Sequence, residues 1–233
     1  MSIKSARRIR HHGPLGERVT LQTDAAHKIA DVLRLKQGEP VIIVDDEGRE
    51  HTGTITALSP HHLEVALTGE ARPAFELIPI TLGIPFIKGD RMDWAIEKAG
   101  ETGVARILPY RADRSVPREC SPEKLKRWRR IAEAAALQSG TGAGSQVLDP
   151  VMSLDAVPER FERCAHLDIT GESVSSFLRQ ASPEIILAGP EGGWTPREHE
   201  LLRARSRAVA LGAQTYRAET AVLLAGFLAN LQV

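Results

Sequence analysis

Ile185-Ile186-Leu187-Ala188-Gly189-Pro190-Glu191-Gly192-Gly193-Trp194-Thr195-Pro196-Arg197-Glu198 is the best punctuated passage of the chain. Its isoleucine-rich run predicts a buried strand, and Gly189-Pro190 ends it, because proline donates nothing to a ladder and glycine permits a sharp reversal. Gly192-Gly193 leaves the backbone bare, so its amides can approach a ligand closely or adopt positive φ. Thr195, Pro196 and Glu198 then supply the N-cap, the first helical position and the partner of a Thr-x-x-Glu capping box. Strand, glycine-rich loop and helix in this order is how open α/β sheets place ligands. A tight turn with no ligand fits the same residues equally well.

A second such turn lies downstream. Ala208 to Leu211 predicts a short strand, and Gly212-Ala213-Gln214-Thr215-Tyr216-Arg217-Ala218-Glu219-Thr220-Ala221 leads from it into a helix. Arg217 and Glu219 fit an ion pair with a first-turn acid favoured by the helix dipole, or a site. Two turns of this kind in one parallel sheet converge at the carboxyl ends of the strands, which is where a site is expected. Upstream, Leu77 to Ile84, Val104 to Leu108 and Ala165 to Ile169 predict further strands. Helices are expected from Asp90, as cap, to Gly103, and from Ser121-Pro122 through Leu125, Trp128, Ile131, Ala132 and Ala135. Strands alternating with helices argue for an α/β domain with a mostly parallel sheet.

The first 70 residues have a different pattern. Val41 to Val44, a turn at Asp45-Asp46-Glu47-Gly48, and Glu50 to Leu58 predict a hairpin, and Leu63 to Leu67 alternates as a half-buried strand. One helix is expected over Asp24–Leu35. A small barrel-like module over 1–70 accounts for this pattern. Thr68-Gly69-Glu70-Ala71-Arg72-Pro73 has the composition of a linker, and a second domain is expected over 74–233.

Within 233 residues, 30 Lys and Arg balance 30 Asp and Glu, so global charge neither supports nor excludes a nucleic-acid partner. Local clustering is more informative. Arg111, Arg114, Arg118, Lys124, Lys126, Arg127 and Arg129 crowd one stretch, and Lys4, Arg7, Arg8 and Arg10 another. The longer stretch fits a solvated helix face or phosphate contact; together the two could straddle an RNA backbone. Neither the N-terminal segment nor the apolar Ala221–Leu231 suits a membrane anchor. Cys120 and Cys164 are too far apart for CxxC or Cys/His spacing, so no zinc site or disulfide framework is indicated. A soluble cytoplasmic protein without metal is expected. Gly140-Thr141-Gly142-Ala143-Gly144 follows a helix rather than a strand, which argues for a helix C-cap and loop over a dinucleotide fingerprint.

Gly189-Pro190-Glu191-Gly192-Gly193, Leu211-Gly212 and Arg217-x-Glu219-Thr220-Ala221 together resemble the RsmE family of SPOUT methyltransferases, which methylate N3 of a uridine in 16S ribosomal RNA with S-adenosylmethionine. Lys88-Gly89-Asp90-Arg91-Met92-Asp93, Glu97-Lys98-Ala99, Gly103-Val104, the helix from Arg127-Trp128 to Gln138-Ser139, and His27 with Val32-Leu33-Arg34 extend the resemblance. The chain departs from the family pattern at Lys28, Leu137 and Thr141, at Glu101-Thr102-Gly103, and within Thr215-Tyr216-Arg217-Ala218-Glu219-Thr220-Ala221. The resemblance implies a PUA-like RNA-binding barrel, a SPOUT domain with a C-terminal trefoil knot, and a homodimer acting on the small ribosomal subunit. Topology rules alone would argue against the knot.

It also implies three cofactor loops, contributing Leu167, Asp168 and Thr170; Ala188, Gly189, Glu191, Gly192 and Gly193; and Leu211, Gly212, Tyr216, Arg217, Ala218 and Thr220. Arg217 is expected to meet charge developing on the uracil carbonyls, with Glu219 or Glu191 orienting it or assisting deprotonation. RNA contacts are expected from Arg7, Arg8, Arg10, Arg34, Arg111, Arg114 and Arg127. Another RNA position, base or ribose 2′-hydroxyl, is the alternative within enzymes. A non-catalytic RNA-binding ribosome-assembly factor is the alternative outside them, motivated by the altered loop at Thr141.

Overall fold

The computed structural model describes residues 7–22, 35–59, 61–73, 75–116, 119–141, 147–148 and 151–231. The helix expected over Asp24–Leu35, together with His27 and Arg34, therefore falls outside the described residues apart from Leu35, as do Lys4, Arg118 and residues 142–144 of the glycine loop. Two compact units emerge, one of residues 1–76 with 137–144 and one of residues 77–136 with 145–233.

The first unit contains β1 (Arg7–Arg10), β2 (Arg18–Gln22), β3 (Pro40–Val44), β4 (Glu50–Ser59) and β5 (His62–Leu67), in the spatial order β1-β3-β4-β5-β2. β1 runs parallel to β3, and the other pairs are antiparallel. Ile9, Val19, Val41, Ile43, Ile55, Leu63 and Val65 form its core. The β3–β4 turn forms as its residues dictate. The Asp45 carboxylate accepts from the amides of Glu47 and Arg49 and from the Arg49 guanidinium, and Gly48 takes a φ of 81°. Gly53 is needed where β4 crosses β5, since a Cβ there would lie 2.4 Å from the Val65 side chain.

The second unit is a parallel sheet in the order β12-β10-β11-β6-β7-β8. Its strands are β6 (Ile78–Pro85), β7 (Val104–Arg111), β8 (Val147–Leu148), β10 (Cys164–Ser173), β11 (Ile185–Leu187) and β12 (Ser206–Ala210), with β9 (Met152–Ser153) also paired to β7. Its helices are α1 (Asp90–Glu101), α2 (Pro122–Ser139), the short α3 (Val157–Arg160), α4 (Val174–Gln180), α5 (Pro196–Arg205) and α6 (Ala218–Asn230). Alternate strand residues enter different cores, as a sheet covered on both faces requires. Ile107, Ala165 and Ile186 join the core containing Met92, Ile96, Trp128, Phe177 and Val222 from the helices. Leu108, Cys164, Ile185 and Leu187 join the one containing Val157 and Leu202.

Helix ends follow local chemistry with one correction. Gly103 takes positive φ just past α1, and the Thr195–Glu198 capping box opens α5. Asp90 does not cap α1. The cap position is Gly89, whose φ of 70° favours glycine, and Asp90 is the first helical residue, with no side-chain cap bond. Asp93 is used elsewhere, accepting from Trp128 Nε1 at 2.9 Å and from the Arg127 guanidinium. Among the described residues, no helix is long and apolar enough to cross a membrane, and no group of three acidic, His or Cys side chains could hold a metal ion.

Candidate functional site

The carboxyl ends of β10, β11 and β12 surround a cavity of about 300 Å³. The β10 exit supplies Leu167, Asp168 and Ile169 to its wall. Here the pairing with β12 shifts register between Leu167 and Glu172, so the intervening residues stand out as a bulge. The bulge is fixed locally. The Asp168 carboxylate accepts from the Thr170 amide at 2.8 Å and the Thr170 hydroxyl at 2.7 Å, the amide bond foremost in holding its pKa below the usual carboxylate range. Gly171 returns the chain to the strand so close to β12 that a Cβ would meet the Val209 amide nitrogen at 2.4 Å.

The β11 exit supplies Gly189, Pro190, Gly193, Trp194 and His199. Gly193 makes the reversal with a φ of 69° and donates its amide to the Pro190 carbonyl at 2.8 Å. Trp194 turns inward, stacking on Tyr110 and meeting His166 edge-on, both at centroid distances of 6.4 Å. Gly189 leaves room for it, since a Cβ there would lie 3.3 Å from the indole. The Tyr110 hydroxyl donates to the Ala188 carbonyl and burial raises its pKa, while burial lowers that of His166 to about 4. The wall behind the cavity is thus aromatic and uncharged at neutral pH.

The β12 exit supplies Leu211, Gln214, Thr215 and Tyr216, and α6 adds Ala218 and Ala221. Arg217 is exposed at the N-cap position of α6 and makes no side-chain cap bond. Glu219 follows in the first turn, buried, and its partner is not Arg217. Its Oε1 lies 3.9 Å from Nη1 of Arg91, in the first turn of α1, and its Oε2 has no hydrogen-bond partner among the described residues. The Arg91 guanidinium grips both carboxylate oxygens of Glu191, through Nη1 to Oε1 and through Nη2 to Oε2 at 3.1 Å. Residues following β6, β11 and β12 therefore meet in one charged cluster.

Of the expected cofactor residues, Leu167, Asp168, Gly189, Gly193, Leu211, Tyr216 and Ala218 line the cavity. Ala188, Thr170, Glu191, Gly192, Gly212, Arg217 and Thr220 lie in the same three turns without lining it. Pro190, Ile169, Trp194, His199, Gln214, Thr215 and Ala221 line it without having been singled out. Trp194 had a signal, as the one large aromatic directly after Gly192-Gly193. His199 stands four residues after the Thr195 cap, one helical turn on. Arg91 lay inside the Lys88–Asp93 motif, but nothing local ties it to Glu191, 100 residues away.

The described members of the expected RNA-contacting set are divided between the two units. Arg114 donates to the Gly192 carbonyl at 2.6 Å, and Arg127 pairs with Asp93. Arg111 and Arg7 are exposed. In the first unit Arg8 bonds Glu50 at 2.5 Å and its guanidinium would lie 2.7 Å from a Cβ at Gly140, while Arg10 donates to the Asp45 carbonyl.

Residues 74–230 match the family model of the RNA methyltransferase domain, and residues 21–68 match that of the RNA methyltransferase PUA domain. Ribosomal RNA small subunit methyltransferase E of Bacillus subtilis is 31% identical over 87% of this chain and 85% of that protein. This chain belongs to the RsmE family. A crystal structure of the RsmE protein of Neisseria gonorrhoeae bound to S-adenosyl methionine is 28% identical and covers 95% of each chain with a TM-score of 0.81. A methyltransferase of Legionella pneumophila with the same bound cofactor, 24% identical over 97% of each chain, shares the fold with a TM-score of 0.83. The RsmE assignment agrees with the α/β sheet and with the small β unit that precedes it.

Proposed function

We propose that this chain methylates N3 of a uridine in the 16S RNA of the small ribosomal subunit, with S-adenosylmethionine as the donor. An S-adenosylmethionine-dependent ribosomal RNA methyltransferase is what the RsmE family and its cofactor-bound member support. The observation that carries the finer reading is the buried Glu219 carboxylate, whose Oε2 has no hydrogen-bond partner among the described residues, next in the chain to the cavity-lining Ala218. Methylation at N3 requires a proton to leave, and a buried acceptor without a partner suits that task.

The residues present fit the cofactor. Leu167, Leu211, Tyr216 and Ala218 offer apolar surface to a flat base, and the turn backbones and Gln214 offer polar groups to ribose. Asp168 brings a negative charge to a site for a sulfonium cation. No phosphate cradle is needed. When bound, the cofactor supplies a methyl group carried on a positively charged sulfur. The chain's own residues orient the base, exclude water and move the proton. The Glu219 carboxylate is the acceptor of the N3 proton, and Arg217, exposed at the mouth of the β12 turn, meets the charge that develops on the uracil carbonyls. Residues 1–70 act as the RNA-binding module and 74–233 as the catalytic one, with the surface arginines contacting phosphates without reading sequence. The family resemblance extends this reading to a cytoplasmic homodimer.

The test is mass mapping of small-subunit RNA lacking the modification, before and after incubation with the protein and S-adenosylmethionine. One methyl on N3 of a single uridine is expected. A methyl on a ribose hydroxyl or another base position would retain the enzyme class and overturn the position. Tight RNA binding with no transfer and no cofactor binding would overturn both.

A further inference from the structure

A second cavity, of about 420 Å³, lies at the amino ends of β10 and β12, the ends opposite the cofactor loops. Cys164 and Phe177 are its buried lining residues. Arg163, Arg203, Arg205 and Arg207 also line it, with Glu162 as the one lining acid among the described residues. The fold gathers these arginines from separate places. Arg163 directly precedes β10, Arg203 and Arg205 end α5, and Arg207 is the second residue of β12, the edge strand beside β10.

Two of the four have protein partners. The Arg163 guanidinium donates to the Ser182 carbonyl at 2.8 Å and lies 3.3 Å from Glu184, whose carboxylate also accepts from the amides of Glu162 and Arg163. Arg207 pairs with Glu172 at 2.7 Å. Both arginine side chains remain largely exposed, at 61% and 71%, and a guanidinium has five donors, so each keeps donors for a further acceptor. Arg203 and Arg205 are exposed, with no ion pair or side-chain hydrogen bond among the described residues. The dipole of α5 favours cations in its last turn, but that requires neither a cavity nor two further arginines from other elements. Glu162, Glu172 and Glu184 together are fewer than the arginines, so the cavity stays positive.

A polyanion is the occupant this chemistry fits. Exposed guanidinium groups hold a free phosphate ion weakly, because water and salt screen them. A phosphodiester chain already engaged by the same protein gains from counterion release at each contact and from a high effective concentration. An RNA methyltransferase domain has such a partner. The spacing also suits it. Cys164 and Leu167 line the two cavities three residues apart on β10, and Arg207 and Leu211 do so four residues apart on and just past β12. At about 3.3 Å per residue the two linings are roughly 10–13 Å apart along the strands.

We propose that Arg163, Arg203, Arg205 and Arg207 form a second RNA-contact surface, which holds the phosphodiester backbone of the ribosomal RNA apart from the cofactor cavity. Its contacts go to phosphate oxygens and carry no sequence information, so they raise affinity and leave the chemistry untouched. This inference rests on the RNA substrate of the family and not on the N3 position.

The test measures binding of small-subunit RNA, naked and in assembled subunits, as a function of salt, for wild type and for Arg203→Ala combined with Arg205→Ala. Loss of two phosphate contacts should reduce the slope of log affinity against log salt by about 1.4–1.8, and the affinity at about 0.1 M salt by about 25- to 60-fold. Arg203→Lys combined with Arg205→Lys should keep the slope, because the charge is kept. Affinity for S-adenosylhomocysteine should stay within about twofold of wild type, as should single-turnover transfer at saturating RNA. Should the alanine pair not fold, Arg203→Gln combined with Arg205→Gln is measured in the same way. An unchanged slope and affinity in whichever pair folds overturns the surface. A loss on assembled subunits with none on naked RNA also overturns it and assigns the arginines to an acidic protein partner. A wild type that methylates another position, while the alanine pair lowers the salt slope as expected, overturns the N3 reading and leaves this surface standing.

Discussion

The turns that open α5 and α6 each bury one glutamate at the start of a helix, and the two carboxylates have opposite surroundings. Glu198 is fully buried and fully engaged: its Oε1 accepts from the Asp113 amide at 2.8 Å, and its Oε2 accepts from the Thr195 amide at 2.8 Å and from the Thr195 hydroxyl. Glu219 is nearly as buried, but has one oxygen without a donor and a cation held just out of hydrogen-bonding reach. Both turns follow parallel strands and both flank the same cavity. Burial therefore does not separate the two acids; hydrogen bonding does. The carboxylate of Glu198, whose lone pairs are taken, holds the backbone together, whereas that of Glu219 keeps one oxygen without a donor among the described residues, the vacancy on which its proposed role rests.

If this contrast is right, Glu198→Ala should be among the most damaging changes to stability. It frees the Asp113 and Thr195 amides and ends the capping box, and should cost about 3 kcal/mol, read as a lower denaturant midpoint. A cost under about 1 kcal/mol would show that its bonds do not anchor the turn. Trp194→Ala sharpens the contrast from within the same turn, because Trp194 faces the cavity instead of the cap. It should weaken S-adenosylmethionine binding about 100-fold by calorimetry, in line with loss of a buried aromatic anchor. Unchanged affinity would separate this cavity from the cofactor.

A further effect, expected only in acid, is a pH dependence from His166. Its pKa is lowered in the folded protein from 6.5 to about 4, first by burial and also by the nearby His199, with Asp168 opposing. The folded form stays neutral where the unfolded chain takes up a proton. Its contribution is thus fully present above about pH 6.5 and is lost as pH falls toward about 4, at a slope of up to about 1.4 kcal/mol per unit. Removing the imidazole in His166→Gln should flatten the stability profile over that window. An unchanged profile would assign the acid loss to other groups.

The two turns also differ in how far their sequence could be read. The capping box at Thr195–Glu198, the Gly193 reversal and the Gly103 helix end are local, each determined by residues within a few positions, and the pattern of strands and helices follows from periodicity. The strand order is not local: β10 lies between β12 and β11, and no periodicity encodes that neighbourhood. The Glu219 site is harder still. Its surroundings include Arg91, which is paired with Glu191, and these two are 100 residues apart in the chain and meet only because β6 and β11 are adjacent in the sheet. A reading confined to Arg217–Ala221 pairs Glu219 with its neighbour Arg217, whereas the folded chain sets it against Arg91. At Asp90 a favourable capping residue was likewise overridden, because the turn placed a positive φ at Gly89.

The most direct test of the contrast between the two glutamates is Glu219→Gln, measured for single-turnover methyl transfer at saturating cofactor and for thermal midpoint on the same preparation. The account predicts a rate about 100-fold below wild type with the midpoint equal or higher, because a neutral amide replaces an unsatisfied buried carboxylate. A wild-type rate, or a rate lost only in step with a falling midpoint, would contradict it.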